Sequence, residues 1–152
     1  MTEQTAQSTW SIRAWIDEPP RPLLAIGTLV AVVATAGSLY LSLGLGLIPC
    51  RLCWYQRILM YPLVVVLGMA AVEGRREVYR TALPLSVIGG AIAAYHSLLQ
   101  LAATSGSQCT LGGGGCGTVL LRVFGLSIPN LSLLAFVLIT VSMLVLAVRP
   151  AR

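Results

Sequence analysis

The sequence has 152 residues, of which 57% are apolar and only 10% are charged. Soluble domains carry roughly 25% charged residues, so this composition excludes a water-soluble globular protein and indicates a membrane protein with one domain, residues 1–152. The net charge is +5, but the ten basic residues are all arginines scattered in ones and twos, without the basic stripe that nucleic-acid binding requires.

The first apolar run extends from Leu23 to Ile48 and follows a polar, proline-rich segment. It contains about 26 residues without a charge, whereas the apolar core of a signal peptide has only about 7–15. We therefore expect a retained membrane span at about 23–48 rather than a cleaved leader.

The second apolar run, Ile58 to Val72, has about 15 residues, too few to cross a hydrocarbon core of roughly 30 Å. The helix must therefore begin earlier, between Cys50 and Trp54, and we place the span at about 53–72. This start puts the residues between 53 and 57 on the first turns of a helix that enters the bilayer.

A charged loop separates this span from a third at about 81–104, and a fourth span covers about 128–148. The four apolar segments predict an all-α membrane protein, a bundle of four transmembrane helices. Segments 49–53 and 105–127 connect the first span to the second and the third to the fourth.

The arginines predict the orientation of the bundle. Seven of the ten lie in the N-terminal tail, the loop between the second and third spans, and the C-terminal tail. Because arginine-rich segments stay on the cytoplasmic side, we expect both termini to be cytoplasmic. Segments 49–53 and 105–127 then lie on the outer face of the membrane.

All four cysteines fall in these two outer segments. An even number of cysteines on an oxidising face favours disulfides, and the local spacing predicts the pairs Cys50–Cys53 and Cys109–Cys116. Neither pair closes a loop long enough to add much stability. We therefore expect both pairs to be redox-active rather than structural.

A C-x-x-C at a helix start has a chemical consequence, because the helix dipole and a nearby arginine both lower the pKa of a thiol. Arg57 lies one turn after Cys53 on the same helix face, so we expect its guanidinium to face a Cys53 thiolate. A charge at this depth is costly and indicates a function. The alternatives are a plain disulfide or half of a four-cysteine zinc site, which needs both outer segments to converge; we predict no resident metal.

The segment around this pair reads Pro49-Cys50-x-Leu52-Cys53-x-x-Gln56-Arg57-x-x-Met60-Tyr61-Pro62. It closely resembles the signature of the DsbB/BdbC disulfide-forming quinone reductases. The resemblance extends to the four-span layout, both cysteine segments, Tyr95-His96 and the Ile128-Pro129 start of the fourth span. Only six residues separate Cys109 from Cys116, as in the shorter BdbC-like branch.

The resemblance implies that the protein reoxidises an extracytoplasmic thioredoxin-fold dithiol oxidase, DsbA-like, at the bacterial inner membrane. Electrons would pass to membrane quinone, either ubiquinone or menaquinone. Cys109 would form the mixed disulfide with the partner, with Cys116 as its companion, and electrons would then reach Cys50–Cys53. Cys53 would face the quinone, and Arg57 would hold a quinone oxygen.

The expected quinone-binding residues are Cys53, Gln56, Arg57 and His96. Gln56 stands where some family members have Glu, so no carboxylate pairs with Arg57 and the guanidinium is freer to meet an anion. His96 is the only histidine. It is either a polar residue hydrogen-bonded between helices, or a contact and proton donor for the quinone ring.

Two other functions compete with this one. The vitamin K epoxide reductase family usually carries its C-x-x-C on the last helix, after the loop cysteines, which is the reverse of the order in this sequence. A non-catalytic membrane scaffold or metal-binding protein with structural disulfides is the alternative from another class. Its disulfides would resist a glutathione-like buffer, whereas a catalytic pair would cycle with added quinone.

Overall fold

The computed structural model of the protein describes residues 20–104, 122–123 and 126–148. Its four long helices are named here α1 (Arg21–Leu39), α2 (Arg51–Glu73), α3 (Tyr79–Thr104) and α4 (Ile128–Val148). A π-helical turn, Tyr40–Gly44, continues α1, and a 3-10 turn, Arg76–Val78, precedes α3. Two short antiparallel strands, β1 (Arg122–Val123) and β2 (Leu126–Ser127), precede α4. The strands lie within a segment that the sequence predicted only as a loop.

All four helices are long and apolar enough to cross a membrane, which confirms the predicted all-α, four-helix fold class. The helix α1 packs against α2 and α4, and α3 packs against the same two helices, so the four form a ring. Short connections after α1 and α2 make consecutive helices antiparallel. The end of α1, the start of α2, the end of α3 and the start of α4 therefore meet at one end of the bundle.

The helical part of the first span ends at Gly44, whereas the sequence predicted a span continuing to residue 48. The chain turns at Gly46, whose φ of 65° is left-handed and suits a residue without a Cβ. The Leu47 N–H then reaches back to the Leu41 carbonyl at 3.1 Å. Residues 45–50 thus form a compact turn that delivers Cys50 to the start of α2.

Helix α2 begins at Arg51, as expected from the shortness of the second apolar run. Cys50 is its N-cap residue, with an extended backbone and a sulfur that accepts the N–H of Cys53 at 3.4 Å. The helix ends at Gly74, whose φ of 68° gives the left-handed C-terminal residue that glycine favours. Because Cys50 is the N-cap, its sulfur is held at the N-terminal end of α2.

The interior of the bundle is apolar, and its largest fully buried side chains are Leu24, Leu63, Leu67, Phe136, Ile139, Met143 and Leu146. The outside is apolar as well: Leu43 is 82% exposed and Ile48 is 86% exposed. A soluble monomer rarely leaves so much continuous apolar surface in water, whereas lipid tails solvate it. The bundle is therefore that of a multi-pass membrane protein.

Small residues allow α3 and α4 to approach closely where the Phe136 ring lies over Gly89. A Cβ added at Gly89 would lie 2.2 Å from Cε1 of that ring, which is itself fully buried. Close approach of helix backbones through glycine is the usual packing mode in membranes, where no hydrophobic effect drives helices together.

We expect Gly89→Ala to lower the free energy of unfolding by about 1–3 kcal/mol, because the ring must shift to avoid the new methyl group. Gly37→Ala is the matched control, since a Cβ at Gly37 meets nothing within 4 Å in the described part of the chain. Because alanine has a higher helix propensity than glycine, Gly37→Ala should leave the free energy of unfolding unchanged or raise it by up to about 1 kcal/mol. Unfolding in mixed detergent and SDS micelles, followed by circular dichroism, measures both; equal effects would contradict the packing argument.

Candidate functional site

The sulfurs of Cys50 and Cys53 lie 3.0 Å apart at the N-terminus of α2, and both residues are half-buried thiols that form no disulfide in this structure. Cys50 donates its S–H hydrogen to the sulfur of Cys53. The pair therefore has the arrangement of a reduced dithiol whose sulfurs are already in contact. The disulfide expected between them remains a prediction; the expected Cys109–Cys116 pair lies outside the described residues.

The surroundings of Cys50 make its thiol a weaker acid than an ordinary cysteine. The hydrogen bond to Cys53, together with burial, raises the pKa of Cys50 to about 11, although His96 and the Cys53 N–H act in the opposite direction. A helix N-terminus alone would lower a thiol pKa, as the sequence suggested for this motif. For Cys50 the neighbouring sulfur outweighs the helix, so the Cys50 thiol holds its proton more tightly than an ordinary cysteine does.

His96 connects the cysteine pair to three of the helices. It is almost fully buried, and its Nε2 lies 3.8 Å from the sulfur of Cys50. Its Nδ1 lies 3.4 Å from Nε2 of Gln56, and Oε1 of Gln56 accepts a hydrogen bond of 2.8 Å from Ser132. In this orientation of the Gln56 amide, its nitrogen donates to Nδ1 of His96, and Nε2 faces the sulfur of Cys50.

Arg57 is anchored to the first span. Its Nε donates to the Ser38 hydroxyl at 2.8 Å, and its Nη2 donates to the Ser38 carbonyl at 2.7 Å and to the Ser42 hydroxyl. The Trp54 ring lies beneath the guanidinium, with its centroid 5.7 Å from Cζ. The Nη1 N–H groups have no hydrogen-bond partner in the described residues, so two donors remain for a ligand.

These side chains line one cavity of about 710 Å³, to which all four helices and the turn before α2 contribute. Most of the lining is apolar, and its polar groups include Cys50, Cys53, Gln56, Arg57, His96, Gln100 and Ser132. An apolar cavity with a few convergent polar groups is the usual form of a site for an organic ligand. The cysteine pair therefore borders a space suited to an apolar ring with polar substituents.

The structure brings together every described residue that the sequence singled out: Cys50, Cys53, Gln56, Arg57 and His96. Sequence reasoning missed the serines that position them, namely Ser38, Ser42 and Ser132. The spacing of four between the first two serines was the available signal, because it puts both on one helix face near the end of the first span. Ser132 carried no comparable signal.

The raised pKa of the Cys50 thiol predicts the order of alkylation in the reduced protein. With Cys109 and Cys116 replaced by Ser, limiting iodoacetamide at about pH 8 should modify Cys53 before Cys50, because the thiolate is the reactive form. Cys50 should react at a comparable rate only as the pH approaches its pKa of about 11. Mass spectrometry of the labelled peptides gives the ratio, and the SDS-unfolded chain, in which both thiols should react alike, is the control. Preferential labelling of Cys50 at about pH 8 would contradict the assignment.

Comparison with known proteins is consistent with this geometry. The family model for "Disulfide bond formation protein DsbB" matches residues 20–146. The chain is 44% identical over 120 residues to disulfide bond formation protein C of Bacillus subtilis, covering 78% of this chain and 87% of the relative. It is 35% identical over 149 residues to a probable disulfide formation protein of Metapseudomonas resinovorans, covering 96% of each. A probable disulfide formation protein of Coxiella burnetii is 40% identical over 110 residues, covering 70% of this chain and 75% of the relative.

No solved structure matches the chain significantly. The family match covers three helices, all but the last two residues of α4, and the whole described cysteine site, and the relatives are matched over most of their own length. The chain therefore belongs to the DsbB family of disulfide bond formation proteins and is a multi-pass membrane oxidoreductase that forms disulfides.

Proposed function

We propose that this protein reoxidises an extracytoplasmic, thioredoxin-fold, DsbA-like dithiol oxidase and passes the electrons to membrane quinone. The observation that carries the proposal is the position of the Cys50–Cys53 pair, which borders a largely apolar cavity that also contains an arginine with free donors. A soluble acceptor would need no such cavity, whereas a lipid-soluble ring would enter it from the bilayer.

The proposed location is the bacterial inner membrane, with both termini in the cytoplasm and the cysteines on the outer face. The described arginines support this orientation, because Arg75, Arg76 and Arg80 lie at the end of the bundle opposite the cysteine pair. Arg76 also caps the C-terminal end of α4 by donating to the Leu146 carbonyl at 2.8 Å. That end carries the positive charge that stays in the cytoplasm.

The side chains present fit a quinone, whether ubiquinone or menaquinone. The apolar lining suits the ring and its isoprenoid tail, and the two Nη1 donors of Arg57 suit a carbonyl oxygen. Cys53 lines the same cavity. A bound quinone supplies the acceptor for two electrons and two protons.

The remaining steps belong to the chain's own residues. The partner's two thiols become a disulfide while Cys109–Cys116 is reduced, and that pair then reduces Cys50–Cys53, each step proceeding by thiolate attack on a disulfide. In the reduced state Cys50 holds its proton against the sulfur of Cys53, and Nε2 of His96 faces Cys50. When Cys50 loses that proton, its sulfur is already in contact with the sulfur that it must rejoin.

Loss of the sulfur of either Cys53 or Cys109 should stop turnover, because the proposed electron path passes through both. We expect Cys53→Ser and Cys109→Ser each to abolish reoxidation of a reduced thioredoxin-fold partner by membranes, because neither hydroxyl can form the required disulfide. The redox state of the partner, trapped by acid and alkylation, is the readout. Full activity of either variant would rule out the proposed electron path, provided that immunoblots show equal amounts of protein in the membrane.

Removing the Arg57 guanidinium should weaken quinone use specifically. A lost charge-assisted hydrogen bond is worth about 1.5–3 kcal/mol, so Arg57→Ala should raise the apparent KM for quinone roughly 10–100-fold. Arg75→Ala is the matched control, since that guanidinium forms an exposed ion pair with Glu73 at the other end of the bundle. Initial rates over a range of soluble quinone concentrations measure the effect; an unchanged KM in Arg57→Ala would remove Arg57 from the quinone site.

A further inference from the structure

We infer that the reduced Cys50–Cys53 pair and His96 form a binding site for a thiophilic divalent d10 cation, with Zn²⁺ as its natural example. The three ligand atoms lie within 4.8 Å of one another. They differ from the four-cysteine set considered from the sequence, because one ligand is the only histidine of the chain and both sulfurs come from the same outer segment.

The distances between the ligand atoms are close to those of a zinc site, except that the two sulfurs must move apart. With Zn–S bonds of about 2.3 Å and a Zn–N bond of about 2.0–2.1 Å, tetrahedral geometry separates the sulfurs by about 3.8 Å and a sulfur from the nitrogen by about 3.6 Å. Nε2 of His96 is already 3.8 Å from the sulfur of Cys50. The sulfurs are 3.0 Å apart because a thiol hydrogen bond joins them, and loss of that proton removes the attraction.

The residues behind His96 form the outer support that metal-binding imidazoles have. A metal on Nε2 requires the proton on Nδ1 and a fixed acceptor for it. Rotating the Gln56 amide by a half turn presents Oε1 to that proton, and its NH2 group then donates to the Ser132 hydroxyl. Ser132 has a second acceptor, the Pro129 carbonyl at 2.9 Å, so every group keeps a partner.

Charge also favours the complex. Binding converts two thiols and one cation into two metal-bound thiolates and releases two protons, so the site carries no net charge. A neutral complex suits the edge of a bilayer, where an uncompensated charge is costly. The Cys53 N–H already donates to the sulfur of Cys50, and this hydrogen bond stabilises the anionic form of that ligand.

The consequence is a choice between metal and disulfide. Each sulfur can bond either to the cation or to the other sulfur, so the oxidised pair cannot hold the ion through both. Three protein ligands leave a fourth position for water from the cavity. If the proposed electron transfer is correct, the cation holds the enzyme in a reduced, inactive form; the binding site itself does not depend on that proposal.

Metal binding is tested on the full-length chain with Cys109 and Cys116 replaced by Ser and without a histidine tag. The reduced protein, in mild detergent, is titrated with Zn²⁺ against a chromophoric chelator, and Cd²⁺ reports thiolate binding by its ultraviolet charge-transfer band. We expect one equivalent of either ion in the reduced protein and none in the protein with the Cys50–Cys53 disulfide. Equal binding in both redox states would overturn the inference.

Histidine coordination is tested separately. His96→Ala should lower the affinity at least tenfold, and Ser132→Ala should lower it by about 10–100-fold, as loss of outer support does elsewhere. Ser142→Ala is the matched control, because its hydroxyl donates only to the Leu138 carbonyl in the same helix. Circular dichroism checks that each variant is folded.

With ¹⁵N-histidine, the spectrum contains one imidazole, so it reports directly on His96. Addition of Cd²⁺ should move the Nε2 resonance to its metal-bound range and leave the proton on Nδ1. An unmoved resonance, or equal affinity in His96→Ala, would mean dithiol chelation alone and would overturn the site. None of these measurements uses quinone or a partner, so they are independent of the proposed electron path.

Discussion

The guanidinium of Arg57 is held between two helices by bonds from Nε and Nη2 to Ser38 and Ser42. A cation within a membrane-spanning helix is costly, and hydrogen bonds from three of its five N–H donors lower that cost where water does not reach. The bonds tie the end of α1 to the second turn of α2 and fix the direction of the side chain. The π-helical turn begins two residues after Ser38, at the position where such turns often shape a site. The cavity exists because these two helix ends are held in this register.

The neighbouring residue, Gln56, ties α2 to the helices on its other side through polar contacts. Successive residues of a helix point about 100° apart, so Arg57 turns toward α1 while Gln56 turns into the bundle toward α3 and α4. The amide meets His96 from one helix and Ser132 from the other. Although α2 and α4 are not neighbours in the ring of helices, this polar contact joins them directly. Two adjacent residues thus connect the cysteine helix to all three of its companions.

The sequence was sufficient to predict those features that the thickness and low polarity of the bilayer determine. The start of α2 followed from the length of one apolar run. The cost of a charge at that depth singled out Arg57, which the structure places on the cavity; its role there remains a prediction. Partners across helices were not predictable, because a serine in an apolar run looks the same whether it faces lipid, its own helix or a guanidinium. Of the two roles considered for His96, the structure shows the polar contact between helices, with Gln56, and puts the ring beside Cys50; the contact with quinone remains a prediction.

The cysteines lie at the start of a membrane-spanning helix, a position that suits the proposed transfer of electrons from thiols to a lipid-soluble acceptor. The first N–H groups of a helix lack partners within the helix, so a sulfur at the N-cap is stabilised there without water. Cys50 takes that position and keeps its proton, whereas Cys53, one turn deeper, lines the cavity with Arg57. The hydrogen bond from the Cys50 thiol to Cys53, together with burial, raises the pKa of Cys50. In the proposed electron path, Cys50 therefore stays protonated while the sulfur of Cys53 faces the cavity.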